Sequence, residues 1–241
     1  MAANVKNVIV GAAQVFVSTG TNASRPQTTI DVSGLAWGAQ KAAGYLSGSS
    51  NWRDVGYTSN GLEVSYEPGY GEVTVDQLLD AARLFKQTVK VMLKTELTEG
   101  TLENINLVFG QSNPIVTYSG STGSNNNPFA PATDTTAGYK NATLSLAAGA
   151  LGDAPVERSI VAVGQAPANL GTEASPVDAS SSAKERVYVA RRVVQVETTS
   201  HALKRDGATV FPVQFRCLPD DRDMYDGAEY GVIIDRVYSS L

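Results

Sequence analysis

The chain has 241 residues, 42% hydrophobic and only 18% charged, with a formal net charge of −5 from 24 acidic and 19 basic groups. The charge is spread rather than blocked: residues 1–120 carry 8 basic and 10 acidic side chains, and residues 121–241 carry 11 and 14. No cluster of cations therefore offers the counterion release that drives nucleic-acid binding. Cys217 is the only cysteine, which excludes an intrachain disulfide, and a core of this size needs neither disulfide nor metal.

In chain order, residues 5–17 read as a first strand broken at Gly11, with Val8/Val10 and Val15/Val17 alternating. Lys6 and Gln14 interrupt the apolar run and argue against a signal peptide. No segment reaches the ~20 apolar residues that span a bilayer, so a soluble protein is expected. Residues 19–50 are rich in small side chains and read as an extended connection. Asn60-Gly61 suits a two-residue turn with positive φ at both centres, which predicts a hairpin between strands at 52–58 and 62–67. In its returning arm Leu62, Val64 and Tyr66 share one face, and Glu63, Ser65 and Glu67 share the other.

Residues 72–79 open a further strand, although Leu78, Leu79, Ala82 and Phe85 also fit helical spacing. TVKVML (88–93) is a strand. A short helix is predicted over 99–109, with Thr98 the first candidate N-cap, Thr101 the second, and Gly110 the stop. Residues 111–140 hold almost no charge and read as a long loop. Strands follow at 142–147 and 156–164, then a second loop at 165–183. The run from Val187 to Thr199 is far longer than the ~5–6 residues typical of a strand. With Asp206-Gly207 as its turn it predicts a long hairpin that projects from the sheet and carries Arg191 and Arg192 on opposite faces. A last strand covers 229–240.

Catalytic chemistry is hard to find. His201 lacks a preorganised nucleophile and orienting carboxylate and reads as an exposed polar residue beside a turn. Cys217 shares a strand face with Val213 and Phe215 and reads as a buried core thiol. Asp220, Asp221, Asp223 and Asp226 lack the glycine and glutamate positions of an EF-hand loop, so they read as a solvated acidic turn. Trp52, Tyr57, Tyr66 and Tyr70 fall at core-like or interface-like positions. No enzyme, metal or cofactor is expected.

The run W-R-D-V-G-Y-T-S-N-G from Trp52, the helix entry T-E-L-T-E-G-T-L-E-N-I, and V-F-P-V-Q-F-R-C-L-P-D followed by G-V-I-I-D carry a family signal. With the N-terminal strand and T-N-A-S-R-P, they make roughly half of the chain resemble the tail tube (major tail) proteins of long-tailed, siphophage-type bacteriophages. The resemblance implies a mainly β fold, sandwich or barrel-like, with one short flanking helix. It implies a single domain over 1–241, with insertions near 19–50, 111–140 and 165–183. It favours strand, turn, strand over a helix at 75–87.

By the same resemblance the expected role is structural. Hexameric rings stack into a tube in the virion tail, around a tape-measure protein and between tail terminator and distal tail proteins. The subunit is made in the host cytoplasm, and double-stranded DNA later passes without tight binding. On this reading Arg191, Arg192, Asp220, Asp221 and Asp223 are candidate inter-subunit contacts, one arginine meeting a neighbour's carboxylate without any role in the fold. Glu63, Ser65 and Glu67 are candidates for a slightly acidic lumen wall, and no ligand pocket is expected. The alternatives are a soluble carbohydrate-binding or adhesin-like β-sandwich, whose loops at 111–140 and 165–183 would hold ligand in an aromatic-lined pocket, and the tube protein of a contractile tail.

Overall fold

The computed structural model describes residues 11–18, 30, 32, 35, 44–46, 49–76, 80–111, 115–119, 140–167, 170–172, 175–177, 183–203 and 205–238. The strands are β1 (Gln14–Ser18), β2 (Gly44–Leu46), β3 (Ser49–Asp54), β4 (Thr58–Val73), β5 (Arg83–Leu97), β6 (Ile115–Ser119), β7 (Lys140–Leu144), β8 (Arg158–Gln165), β9 (Leu170–Thr172), β10 (Ser175–Val177), β11 (Ala183–Gln195), β12 (Phe211–Leu218) and β13 (Gly231–Tyr238). One α-helix, α1 (Leu102–Val108), and a single 3-10 turn at Asp223–Tyr225 complete the described elements. The protein is mainly β with one short helix, as expected.

Nine strands form one antiparallel sheet in the order β2-β3-β1-β8-β11-β12-β5-β4. The sheet forks at β11, because β12 pairs with its end (192–195) and β13 with its start (183–190). β1 and β8 are near-continuous apolar runs because both of their faces are covered. On one face Val15, Val17, Ile160 and Ala162 pack with Leu93, Leu97, Phe211, Val213, Phe215 and Cys217, so the β12-β5 limb closes over the β1-β8-β11 limb. On the other face Phe16, Val161, Val163, Val187 and Val189 pack with Leu35 and Trp52. Segment 19–50, expected as a plain connection, thus supplies β2 and the buried Leu35.

The helix begins at Thr101, whose side chain accepts from the Asn104 amide, and Gly110 ends it with φ 63°. The other candidate, Thr98, instead donates its hydroxyl to the Tyr57 carbonyl. Asn104 is fully buried, and its Nδ2 donates to the carbonyls of Val55 and Glu99, both at 2.8 Å. That side chain ties the helix to the β3–β4 connection.

Asn60-Gly61 has the predicted backbone, φ 60° and 68°, but it does not turn a hairpin. It lies within β4 as a two-residue bulge: Ser59 faces Glu96 and Leu62 faces Thr95, so the ladder skips both residues, which are held to β5 by side chains instead, Asn60 Nδ2 donating to Glu96 and the Thr95 hydroxyl to the Gly61 carbonyl, both at 2.8 Å. Two left-handed residues reverse a chain only where both flanking arms pair with each other. Here β3 pairs with β1 and β2, and β4 pairs with β5. The reversal comes instead between Val73 and Arg83, so within 75–87 the strand expected after the turn is present at 83–87, while the strand expected before it has already ended at Val73. Of the strand expected at 72–79, only residues 72 and 73 are strand, as the end of β4; 74–76 lie beyond it and 77–79 lie outside the described residues.

Asp206-Gly207 likewise sits in an exposed 15-residue connection between Gln195 and Phe211, not in a tight turn. The long strand has the expected 13 residues, but four positions earlier, at Ala183–Gln195. It lies inside the sheet between β8 and β13 and does not project. The expected loops also contain strands: β6 pairs with β7 across 115–144, and β9 pairs with β10 across 170–177. The part of the first strand before Gly11 lies outside the described residues.

Candidate functional site

The element that projects is the β4-β5 ribbon, strands of 16 and 15 residues. Their joined ends leave the packed body, since buried positions occur only in the last third of β5. Strand alternation gives the ribbon two chemically different faces. One carries Leu62, Val64 and Tyr66 of β4 opposite Thr95, Leu93 and Val91 of β5. A register shift leaves Gln87 without a partner, after which Tyr70 faces Lys86 and Glu72 faces Leu84 on that same side. The opposite face pairs Glu63 with Lys94, Ser65 with Met92 and Glu67 with Lys90. The proposed lumen wall is therefore charge-balanced rather than acidic, since each glutamate has a lysine directly across the ladder.

At its base the first face lines an open groove of about 290 Å³. Leu62, Val64, Tyr66, Val91 and Leu93 form one wall, Tyr230, Val232 and Ile233 the other, and Ile160, Ala162 and Tyr188 lie between. The groove exists because of the fork. β5 runs on past the end of β12, and the space where it diverges from β13 is the open end of the core. An open groove was not expected of a tube subunit. Among the described residues its lining comes from strands and from Tyr230 just before β13.

Beyond the groove the apolar row continues into solvent. Tyr66, Tyr70 and Leu84 are each more than half exposed on this face, while Val73 and Phe85 are exposed on the opposite face and Val75 beyond the end of β4. On the far face the Phe85 ring lies over Gly71, where a Cβ would collide with it. Lys86 donates from Nζ to the Tyr66 hydroxyl at 2.5 Å and lies 5.3 Å from the centre of that ring. Of the four aromatics singled out in the sequence, only Trp52 is buried, while Tyr57, Tyr66 and Tyr70 are exposed.

β13 forms the groove's second wall and is fixed to β11 by two charge pairs. Arg186 makes a bidentate contact with Asp235 at 2.6 and 2.8 Å, and Arg236 meets Glu185 at 3.1 Å while donating to the carbonyls of Val32 and Leu35. The Asp235 contact holds the Arg186 guanidinium well above its usual range. At the entry to β13, Gly231 has φ 149°, and any Cβ there would strike the Val189 carbonyl.

The arginines expected to reach a neighbouring subunit are engaged within the chain. Arg191 is buried, donates from Nε to the Ala228 carbonyl at 3.1 Å, and stacks 3.7 Å from the Tyr225 ring centre. Arg192 makes a bidentate pair with Glu157 at 2.9 and 2.7 Å and donates to the Pro219 carbonyl. Asp220 is not solvated, as an acidic turn would have it. It is fully buried, accepts from Arg222, and is held below the usual carboxylate range by that hydrogen bond. Asp221 and Asp223 are exposed. Together these contacts brace the 219–230 loop against β11.

Cys217 is buried as expected, and burial pushes its thiol up to about 12, so it is no nucleophile at neutral pH. His201 is exposed, its ring 4.7 Å from Phe211 and 6.1 Å from Phe109. Among the described residues no group of three or more His, Cys, Asp and Glu side chains could hold a metal, and no helix is long and apolar enough to cross a membrane. The ribbon was missed in the sequence because Asn-Gly read as its turn. The available signal was the matched length of the two apolar-alternating runs on either side of 74–82. No protein-family model matches the chain, and no curated protein matches it.

Proposed function

We propose that this chain is a structural subunit that assembles with copies of itself into hexameric rings, stacked as the tail tube of a long-tailed bacteriophage. The observation that carries the reading is the β4-β5 ribbon, whose apolar face is exposed and continuous with an open end of the core. Bare apolar surface on this scale marks an interaction site, and a symmetric ring repeats one such contact around its axis. The sequence resemblance supports the specific assembly. It also brings the tape-measure protein, the tail terminator and distal tail proteins, and the passage of double-stranded DNA.

The charge-balanced face of Glu63, Ser65 and Glu67 opposite Lys94, Met92 and Lys90 suits a wall past which a polyanion slides. It offers neither a cation cluster to hold phosphate nor a strong field to exclude it. A carbohydrate module is the weaker reading, because sugar recognition needs converging polar groups and this groove is lined almost wholly by apolar side chains. Sedimentation velocity over a range of protein concentrations tests the proposal. Growth from monomer to a discrete larger species, with no duplex DNA retained in a gel shift at physiological salt, is expected. A monomer at every concentration, or salt-sensitive DNA binding, contradicts it.

A further inference from the structure

We propose that Arg158, with Arg53 beside it, holds a small tetrahedral oxyanion, phosphate or sulfate, where the start of β8 meets the end of α1. Such a site is independent of the assembly reading. Strand alternation sets both arginines on one face of the sheet. Arg53 pairs with Val17 and Arg158 with Val193, and both valines belong to the first core. The carboxylates adjacent in sequence are committed elsewhere. Asp54 pairs with Phe16 of the second core, on the opposite face, and accepts from Gln14 and from the Gly56 amide. Glu157 is held by two nitrogens of Arg192.

Arg158 is thereby left without a counter-charge. It is partly buried, and its Nη2 donates to the Gln111 carbonyl at 2.9 Å, a neutral acceptor just past the glycine that ends α1. No carboxylate among the described residues pairs with it. Burial and the Arg53 charge both pull the guanidinium below its usual range. Arg53 is only 7% exposed and is engaged within the chain, donating to the Asp54 carbonyl at 3.4 Å. It supplies positive field, whereas Arg158 supplies donors. Cations withdrawn from water are normally paired, and a guanidinium presents its N–H groups as a fixed fork. With Gln111 on one nitrogen, the remaining edge matches two oxygens of a tetrahedral anion. One such ion would offset two charges at once. Solvent touches Arg158, so a free ion has access that the backbone of a duplex does not.

Thermal unfolding of the full chain, with inorganic phosphate replacing chloride at constant ionic strength and neutral pH, tests the site. The midpoint is expected to rise and then saturate, as binding to the folded state alone requires. Arg158→Gln is expected to need about tenfold more phosphate for the same rise, the loss typical of one charge-assisted contact. Arg205→Gln, in the exposed 196–210 connection, is the control and is expected to respond like the parent. A rise that never saturates, or one that Arg158→Gln shares in full, is a general salt effect and overturns the site. Duplex DNA that gives the same Arg158-dependent rise at equal phosphate concentration overturns the restriction to a small ion. Should circular dichroism show Arg158→Gln misfolded, Arg158→Lys keeps the charge and loses the fork. It is then expected to show the weakened response, and a response equal to the parent's overturns the proposal.

Discussion

Replacing Gly231 with alanine is expected to cost the subunit roughly 3 kcal/mol or more, by loosening β13 from β11. Two independent penalties converge at this position. A side chain at φ 149° is strained wherever it stands, typically by about 1–3 kcal/mol. The added methyl would also meet the Val189 carbonyl, which is backbone and cannot swing aside. β13 supplies Val232 and Ile234 to the second core and one wall of the groove, so its loss opens both. Gly207→Ala is the control, since nothing lies within 4 Å of a Cβ there, and it is expected to be neutral or slightly stabilising. Chemical denaturation of the two variants measures the difference. A Gly231→Ala protein within about 1 kcal/mol of the parent contradicts the account of how β13 is seated.

Charge reversal at Arg191 is expected to destabilise the subunit by about 3 kcal/mol, within the range for removing one member of a buried charged contact. The guanidinium lies against the Tyr225 ring and satisfies the Ala228 carbonyl. Arg191→Glu abolishes both contacts and sets a carboxylate on β11 against a loop that already holds Asp220, Asp221, Asp223 and Asp226. Arg192→Glu is expected to cost less, about 1–2 kcal/mol, because its pair with Glu157 is partly reached by solvent. Thermal unfolding of the dilute, unassembled subunit checks both. An Arg191→Glu subunit as stable as the parent would restore the idea that this arginine serves only a neighbour.

The two arginines show where sequence reasoning stopped. Alternation in Val213, Phe215 and Cys217, and the long apolar run of β11, made the strands legible because burial imposes a period of two on any half-covered strand. The helix was legible through Thr101 and Gly110, which satisfy orphan backbone groups by local chemistry. Pairing was not legible. Asn60-Gly61 specifies two left-handed residues, and those serve a bulge as well as a turn; only the partner strand decides. The faces of Arg191 and Arg192 followed from alternation, but their partners, Tyr225, Ala228 and Glu157, arrive from loops 34 to 37 positions away. The ribbon's exposed apolar row escaped for the same reason, since Leu62, Val64 and Tyr66 look alike in a sequence whether they face a core or solvent.

Negative-stain microscopy of the concentrated, purified chain tests the central claim most directly. The structural reading predicts rings, or tubes of stacked rings with a central channel, and predicts their loss when Tyr70 and Leu84 are both replaced by glutamate while the subunit stays folded. A uniform field of single particles at the highest attainable concentration, or rings that survive those two changes at the ribbon tip, contradicts it.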